Sequence, residues 1–254
     1  MLDANESNRR RPPASGDVSR IGCIVNHMSN LGRQPAAAEG DRATGRPARD
    51  LYEGYPGGFF SRVDEGSDAG FFEQDRFVTH IDDHAIAAVG RLYERLGLDG
   101  RILDLMSSWI SHFLHPPTEL IVLGMNEREL RANTMAAAHV VHDLNVDQRL
   151  PFDDDRFDAA TCCVSVDYLV RPIEVMRDAA RVVCPGGIVV STFSNRCFPT
   201  KVIRGWLALD ERERCALVGQ YFERAGRYTD VQVARCTPID APGDPLFAVW
   251  GTVT

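Results

Sequence analysis

Several groups of side chains in this sequence are spaced for chemistry. His80-Ile81-Asp82-Asp83-His84 places two imidazoles at i and i+4 with carboxylates between them. On one helical face that pair could chelate zinc. No third-ligand signature accompanies it, so no metal is assigned, and helix capping and lid contacts by Arg76, His80 and Asp82 account for the same residues. Cys162-Cys163 lies in a strand-like run, where neighbours point to opposite faces and one thiol can approach a pocket while the other packs. Next comes Ser165-Val166-Asp167-Tyr168-Leu169, in which Asp167 or Tyr168 could deprotonate or orient a substrate. The same two residues could equally cap a helix and wall a pocket. Asp153-Asp154-Asp155 reads as a solvated loop.

These residues need elements to hold them, and the pattern from residue 100 onward supplies them. Short β-branched runs at 102–105, 120–124, 139–143, 157–164 and 188–193 alternate with amphipathic or loop segments. A helix with Pro172 in its first turn carries Ile173, Met176, Ala180 and Val183 on one face, and Pro185-Gly186-Gly187 turns it into the fifth strand. Asp210 with Glu213 resembles a capping box opening a helix to about Arg224. Two final strands, 231–234 and 246–250, suit an antiparallel pair. Pro116-Pro117 limits any helix after the first strand to about two turns. The expected fold is α/β: a doubly wound, Rossmann-like sheet, mostly parallel, with helices on both faces. In such a sheet ligands sit outside the carboxyl ends of the strands, where the strand order reverses.

Composition bounds the rest. The chain has 254 residues, 44% hydrophobic and 25% charged, as expected of a globular protein with a sizeable core. Acids outnumber bases 36 to 28, which disfavours a broad nucleic-acid footprint, and Lys201 is the only lysine. Seven cysteines without a C-x-x-C pair read as reduced thiols of a cytoplasmic protein. No apolar run approaches the roughly 20 residues of a membrane helix. Residues 1–50 are rich in Arg, Pro, Gly, Ser and Ala and carry eight arginines against six acids, so they read as a disordered tail. Residues 51–100 read as an aromatic lid followed by a helix, in which Ile86, Val89, Leu92, Tyr93 and Leu96 recur at helical spacing. Residues 101–254 hold the alternating strands and helices.

Leu150-Pro151-Phe152, then Phe157-Asp158, then Ala180-Arg181-Val182-Val183-Cys184-Pro185-Gly186-Gly187 resemble the "LPF…FD…RVLKPGG" succession of class I S-adenosylmethionine-dependent methyltransferases of the type 11 kind. The resemblance covers about residues 101–254 and implies S-adenosyl-L-methionine as cofactor and methyl transfer to a small-molecule acceptor. It departs from the family at the first strand's turn, Asp104-Leu105-Met106-Ser107-Ser108-Trp109-Ile110, where Met106, Ser108 and Ile110 replace glycines. Either Ser107 and Ser108 donate to the cofactor's carboxylate, or cofactor binding has been altered. By the resemblance Asn126 replaces the acid that grips the ribose, Asp143 accepts from the adenine amine, and Leu144 packs beside it. Ser165 joins this cofactor set with Asp104 and Met106. Tyr168, Asp167 and His80 are the candidate catalytic side chains. The acceptor is placed between Tyr168 and the segments Phe77-Val78-Thr79-His80 and Asn195-Arg196-Cys197-Phe198. A fold of this kind can also bind a ligand without methylating it, or use the sulfonium to promote a rearrangement. No membrane or nucleic-acid partner is expected, and the oligomeric state is open.

Overall fold

The computed structural model describes residues 25–27 and 50–254. The strand β1, Val25–His27, falls within the expected tail; the remainder of that expectation, through residue 49, lies outside the described residues. The other strands are β2 Arg101–Leu105, β3 Glu119–Gly124, β4 Ala138–Val141, β5 Phe157–Cys163, β6 Val183–Phe193, β7 Tyr228–Arg235 and β8 Phe247–Val253. They form one sheet in the order β1-β7-β8-β6-β5-β2-β3-β4. From β6 to β4 all neighbours are parallel, whereas β8 runs antiparallel to both β6 and β7. The order reverses at β2, which has β3 on one side and β5 on the other, and this is the point where a doubly wound sheet opens a crevice.

Alternation along the strands feeds two cores. On β2, Leu103 and Leu105 pack into one cluster and Ile102 into the other. The first cluster takes the apolar faces of α4, Pro172–Val182, and α6, Glu211–Ala225. Ile173 and Met176 of α4 are fully buried, each worth about 1.5–3 kcal/mol. Asp210 and Glu213 form the expected capping box on α6. The second cluster takes α2, Asp83–Arg95, whose N-terminus is capped by the Asp82 side chain accepting from Ala85 N–H. The short helices α1 Asp68–Phe72, α3 Glu127–Ala132 and α5 Arg204–Ala208 complete the set.

Two expectations are corrected. Residues 106–118 contain no helix at all; Ser107 and Ser111 donate to Asp104 and the Ser107 N–H to Leu123 O, so tertiary bonds hold the segment in place of helical ones. Pro185-Gly186-Gly187 is no turn but part of β6. Phe157 pairs with Val183 and Ala159 with Ile188, so Cys184 to Gly187 bulge out between them, where a proline without an N–H is tolerated.

Residues 51–80 run across the body toward the carboxyl ends of the central strands. Tyr52 donates to Glu174 Oε2 at 2.5 Å and Tyr55 to Gln220 Oε1 at 2.8 Å. Lys201, 1% exposed, pairs with Asp68 at 3.1 Å and donates to Gly66 O at 2.9 Å. Arg62 meets the same Asp68 carboxylate at 2.7 Å. Burial alone would raise the Asp68 carboxyl, but Arg62, Asn145 and Lys201 together outweigh it and hold it below its ordinary value. Among the described residues no helix is long and apolar enough to cross a membrane.

Candidate functional site

At the β2 switch point lies a cavity of about 290 Å³, near the lower end of the range for small-molecule pockets of roughly 300–1,000 Å³. Asp104 forms part of its floor. The parallel register sets Asp104 beside Thr161 on β5, so Thr161 Oγ1 donates to Asp104 Oδ1 at 2.7 Å. Ser107 Oγ and Ser111 Oγ both donate to Asp104 Oδ2 at 2.7 Å. Burial raises the Asp104 carboxyl, and these hydroxyls offset part of the rise. The turn that follows keeps a left-handed backbone without a glycine, with Met106 at φ 53°. At the end of the adjacent strand β5, Val164 also sits at φ 45°, a strained value for a β-branched residue. Both line the cavity, as do Ser165, Ser107 and Ser108.

The serine protons are spent inside the protein. Besides the Ser107 bond, Ser108 Oγ donates to Glu129 Oε2 at 2.5 Å. Glu129 is 8% exposed and also accepts from Arg76 N–H at 2.6 Å, so this acid, absent from the sequence-derived set, joins the first loop to the lid. Asn126 is at the expected place but is likewise engaged. Its Oδ1 caps α3 by accepting from Arg128 and Glu129 N–H, while its Nδ2 donates to Phe72 O at 3.1 Å and Asp75 Oδ1 at 3.0 Å.

Asp143 lines the cavity next to Leu144. Its Oδ1 accepts from Asn145 N–H at 2.9 Å, so it caps a turn and also faces the crevice. Tyr168 also lines the cavity, and its hydroxyl accepts from Phe198 N–H at 2.9 Å. Burial, reinforced by Asp167, pushes the Tyr168 hydroxyl well up, so it keeps its proton. Asp167 is not among the cavity-lining residues, which corrects its placement. The three-residue helical turn Val166–Tyr168 directs Tyr168 to the cavity and leaves Asp167 2% exposed, with Oδ2 unpartnered and its carboxyl pushed up to about 7 by burial.

His80 sits at the exposed rim with its ring 5.4 Å from that of Phe198. Surrounding protein lowers its imidazole, Glu129 opposes the shift, and Arg76 adds to it. His112, not singled out by its sequence context, lines the cavity with Nδ1 buried and unpartnered. Burial, with His80 adding, brings it down to about 4, so it is neutral at pH 7. Val78, Thr79, Arg196, Cys197 and Phe198 line the cavity as expected; Phe77 and Asn195 do not. Of the cysteine pair Cys163 reaches the cavity, but burial pushes its thiol up to about 12 and keeps it protonated. Asp82 is taken up by capping α2 and by reciprocal bonds with Asp244, and no metal-ligand cluster occurs among the described residues.

Residues 111–191 match the family model described as a methyltransferase domain. The matched span is 81 of the 254 residues. The cofactor of that family is S-adenosylmethionine. A curated relative is the malonyl-(acyl-carrier protein) O-methyltransferase of Marinomonas sp. (strain MWYL1), 26% identical over 107 residues. That match takes in 41% of this chain, and the chain spans only 39% of the relative's length. Among solved structures, the chain aligns with an S-adenosylmethionine-dependent methyltransferase of Thermotoga maritima, described as a possible histamine N-methyltransferase. The identity is 13%, the coverage 67% of this chain and 90% of the other, and the TM-score 0.49. An S-adenosylmethionine-dependent methyltransferase from Aquifex aeolicus gives 14% identity, coverage of 74% and 97%, and a TM-score of 0.48.

Proposed function

We propose that the protein is an S-adenosylmethionine-dependent methyltransferase acting on a small-molecule acceptor. One observation carries the reading: at the switch point the carboxylates of Asp104, Glu129 and Asp143 share a cavity with the apolar side chains of Leu105, Met125 and Leu144. An acceptor-rich, partly apolar lining fits a ligand that combines cationic groups and amine donors with a flat base. Asp143 would accept from the base's amine with the oxygen not used by Asn145, Leu144 would pack on the base, and Asp104 would face the amino-acid end. When bound, S-adenosylmethionine supplies a methyl group on a positively charged sulfur. The chain's own part is alignment and exclusion of water. Tyr168 holds its proton and serves as a donor that orients the acceptor. His80, at the rim, can take the proton an acceptor loses, whereas burial leaves His112 too weak a base for that step.

Calorimetric titration with S-adenosylmethionine and S-adenosylhomocysteine tests the reading. Dissociation constants on the order of micromolar, about −8 kcal/mol, are expected. A second reading, a methyltransferase-like protein that holds a different ligand, is favoured by the engagement of Asn126 with Phe72 and Asp75 and of both serine protons with carboxylates. The absence of heat and of a thermal shift at millimolar ligand would establish that second reading.

A further inference from the structure

An anion entering this cavity meets an unusual set of donors. The first loop runs into no helix, so no helix N-terminus faces the crevice there, and its serine hydroxyls already donate to Asp104 and Glu129. The cavity-lining acids each have partners: Asp68 has Arg62 and Lys201, Asp104 has three hydroxyls, Glu129 has Ser108 and a backbone N–H, and Asp143 has Asn145 N–H. Two arginines line the cavity. Arg196, exposed at the rim, is paired with Asp244 at 2.7 Å. Arg76 has no carboxylate within ion-pairing distance among the described residues.

Arg76 is nonetheless held firmly. Its guanidinium lies 4.5 Å from the Phe71 ring centroid, 5.5 Å from that of Phe198 and 5.9 Å from that of Phe72. One terminal nitrogen donates to Phe71 O at 2.9 Å and the other to Gln74 O at 3.2 Å. A guanidinium has five N–H donors, so about three remain for a ligand. Glu129 spends one oxygen on the Arg76 backbone N–H and the other on Ser108. Three aromatic faces therefore fix a half-buried cation whose charge the protein does not neutralise.

We propose that Arg76 anchors a carboxylate subsite within the cavity, filled either by the amino-acid end of the cofactor or by a carboxylate of the acceptor. A carboxylate is the ligand that the free edge of a guanidinium fork recognises best, since two parallel charge-assisted bonds form at once. The rings of Phe71, Phe72 and Phe198 give a flat ligand body a surface to lie against.

Two pairs of probes, titrated calorimetrically into the full chain, separate the sources. The first compares S-adenosylhomocysteine with its carboxamide, and the second compares benzoate with benzamide. The first pair rests on the methyltransferase reading and the second does not. If the nucleoside pair fails to bind while benzoate binds, that reading fails and the subsite stands. In at least one pair the acid should bind about tenfold or more tightly than the amide, roughly one charge-assisted bond. Arg76→Met should abolish that preference, and Arg76→Lys, which keeps the charge without the fork, should retain part of it. Should Arg76→Met not fold, the acid-to-amide ratios of the unaltered protein and of Arg76→Lys still decide. Equal binding of acid and amide in both pairs, or a preference that survives in Arg76→Met, overturns the proposal.

Discussion

The carbonyl oxygen of Ser107 fills the space that a Cβ at residue 124 would need, and the Ser107 N–H donates to Leu123 O at 2.8 Å. The first loop is thereby laid against the end of β3. Gly124→Ala drives a methyl group into that carbonyl, and backbone cannot rotate out of the way as a side chain can. The expected cost is about 1–3 kcal/mol of stability, together with weaker binding of S-adenosylhomocysteine. Urea denaturation and titration check it; an unchanged midpoint would mean that the loop is free to shift.

Met106 adopts a left-handed backbone that suits glycine. Truncation to Ala and to Gly both remove the partly buried side chain, so their difference isolates the backbone. In ordinary positions Ala is the more stable of the two. Here Met106→Gly should be more stable than Met106→Ala by about 0.5–1 kcal/mol, the left-handed penalty less the unfolded-state entropy that Gly adds. The reverse order in denaturant melts would contradict the strain.

Asp167 is buried with one oxygen unpartnered and its carboxyl near 7, the effect of burial, against an ordinary value near 4. Around it lie Arg214, which opposes the shift, and Tyr168, Tyr221 and Cys197. Between pH 4 and 7 the folded state holds a proton that the unfolded state has released. This group therefore makes stability fall as pH rises through that window, by roughly 1 kcal/mol per pH unit. Asp167→Asn should flatten the slope and leave the variant relatively more stable at pH 8 than at pH 5. Chemical denaturation of both proteins across that range measures the difference; parallel curves would show that Asp167 titrates normally.

Asp143 has two roles that one substitution can separate. In Asp143→Asn the side-chain carbonyl can still accept from Asn145 N–H, while the second oxygen becomes an amide nitrogen. Thermal stability should hold and affinity for S-adenosylhomocysteine should drop by about 1–2 kcal/mol, the loss of a charged acceptor. Unchanged affinity would leave Asp143 as a turn cap and move the base elsewhere in the cavity.

The strands and the capping box were readable because they depend on local pattern: short, largely apolar runs fell at β2, β3 and β5, and Asp210 with Glu213 is a local motif. Family resemblance placed Asp104, Asp143 and Tyr168 at the cavity. What local pattern does not encode is which oxygen a proton goes to. Ser107 and Ser108 read as donors to a ligand, yet Ser107 donates to Asp104 at 2.7 Å, three residues back in the same turn, and Ser108 donates at 2.5 Å to Glu129, which the fold brings from α3. Glu129 looks like an ordinary first-turn helix acid, and Arg76 and His112 have no motif around them. Asp167 and Tyr168 are adjacent, and only the tight helical turn determines which of them reaches the cavity.

The placement of β8 bears on the order in which the molecule can assemble. This strand follows β7 in the chain yet lies between β6 and β7, bonded to both. As the polypeptide emerges from the ribosome, β7 has no place in the sheet until residues 247–253 have cleared the exit tunnel. Until then the outer edge of β6 and the β8-facing edge of β7 expose unpaired backbone, and α6, which packs against β7 and β8, lacks part of its floor. A nascent chain stalled before residue 247 should therefore hold a five-strand parallel sheet with an open flank, a species suited to chaperone capture.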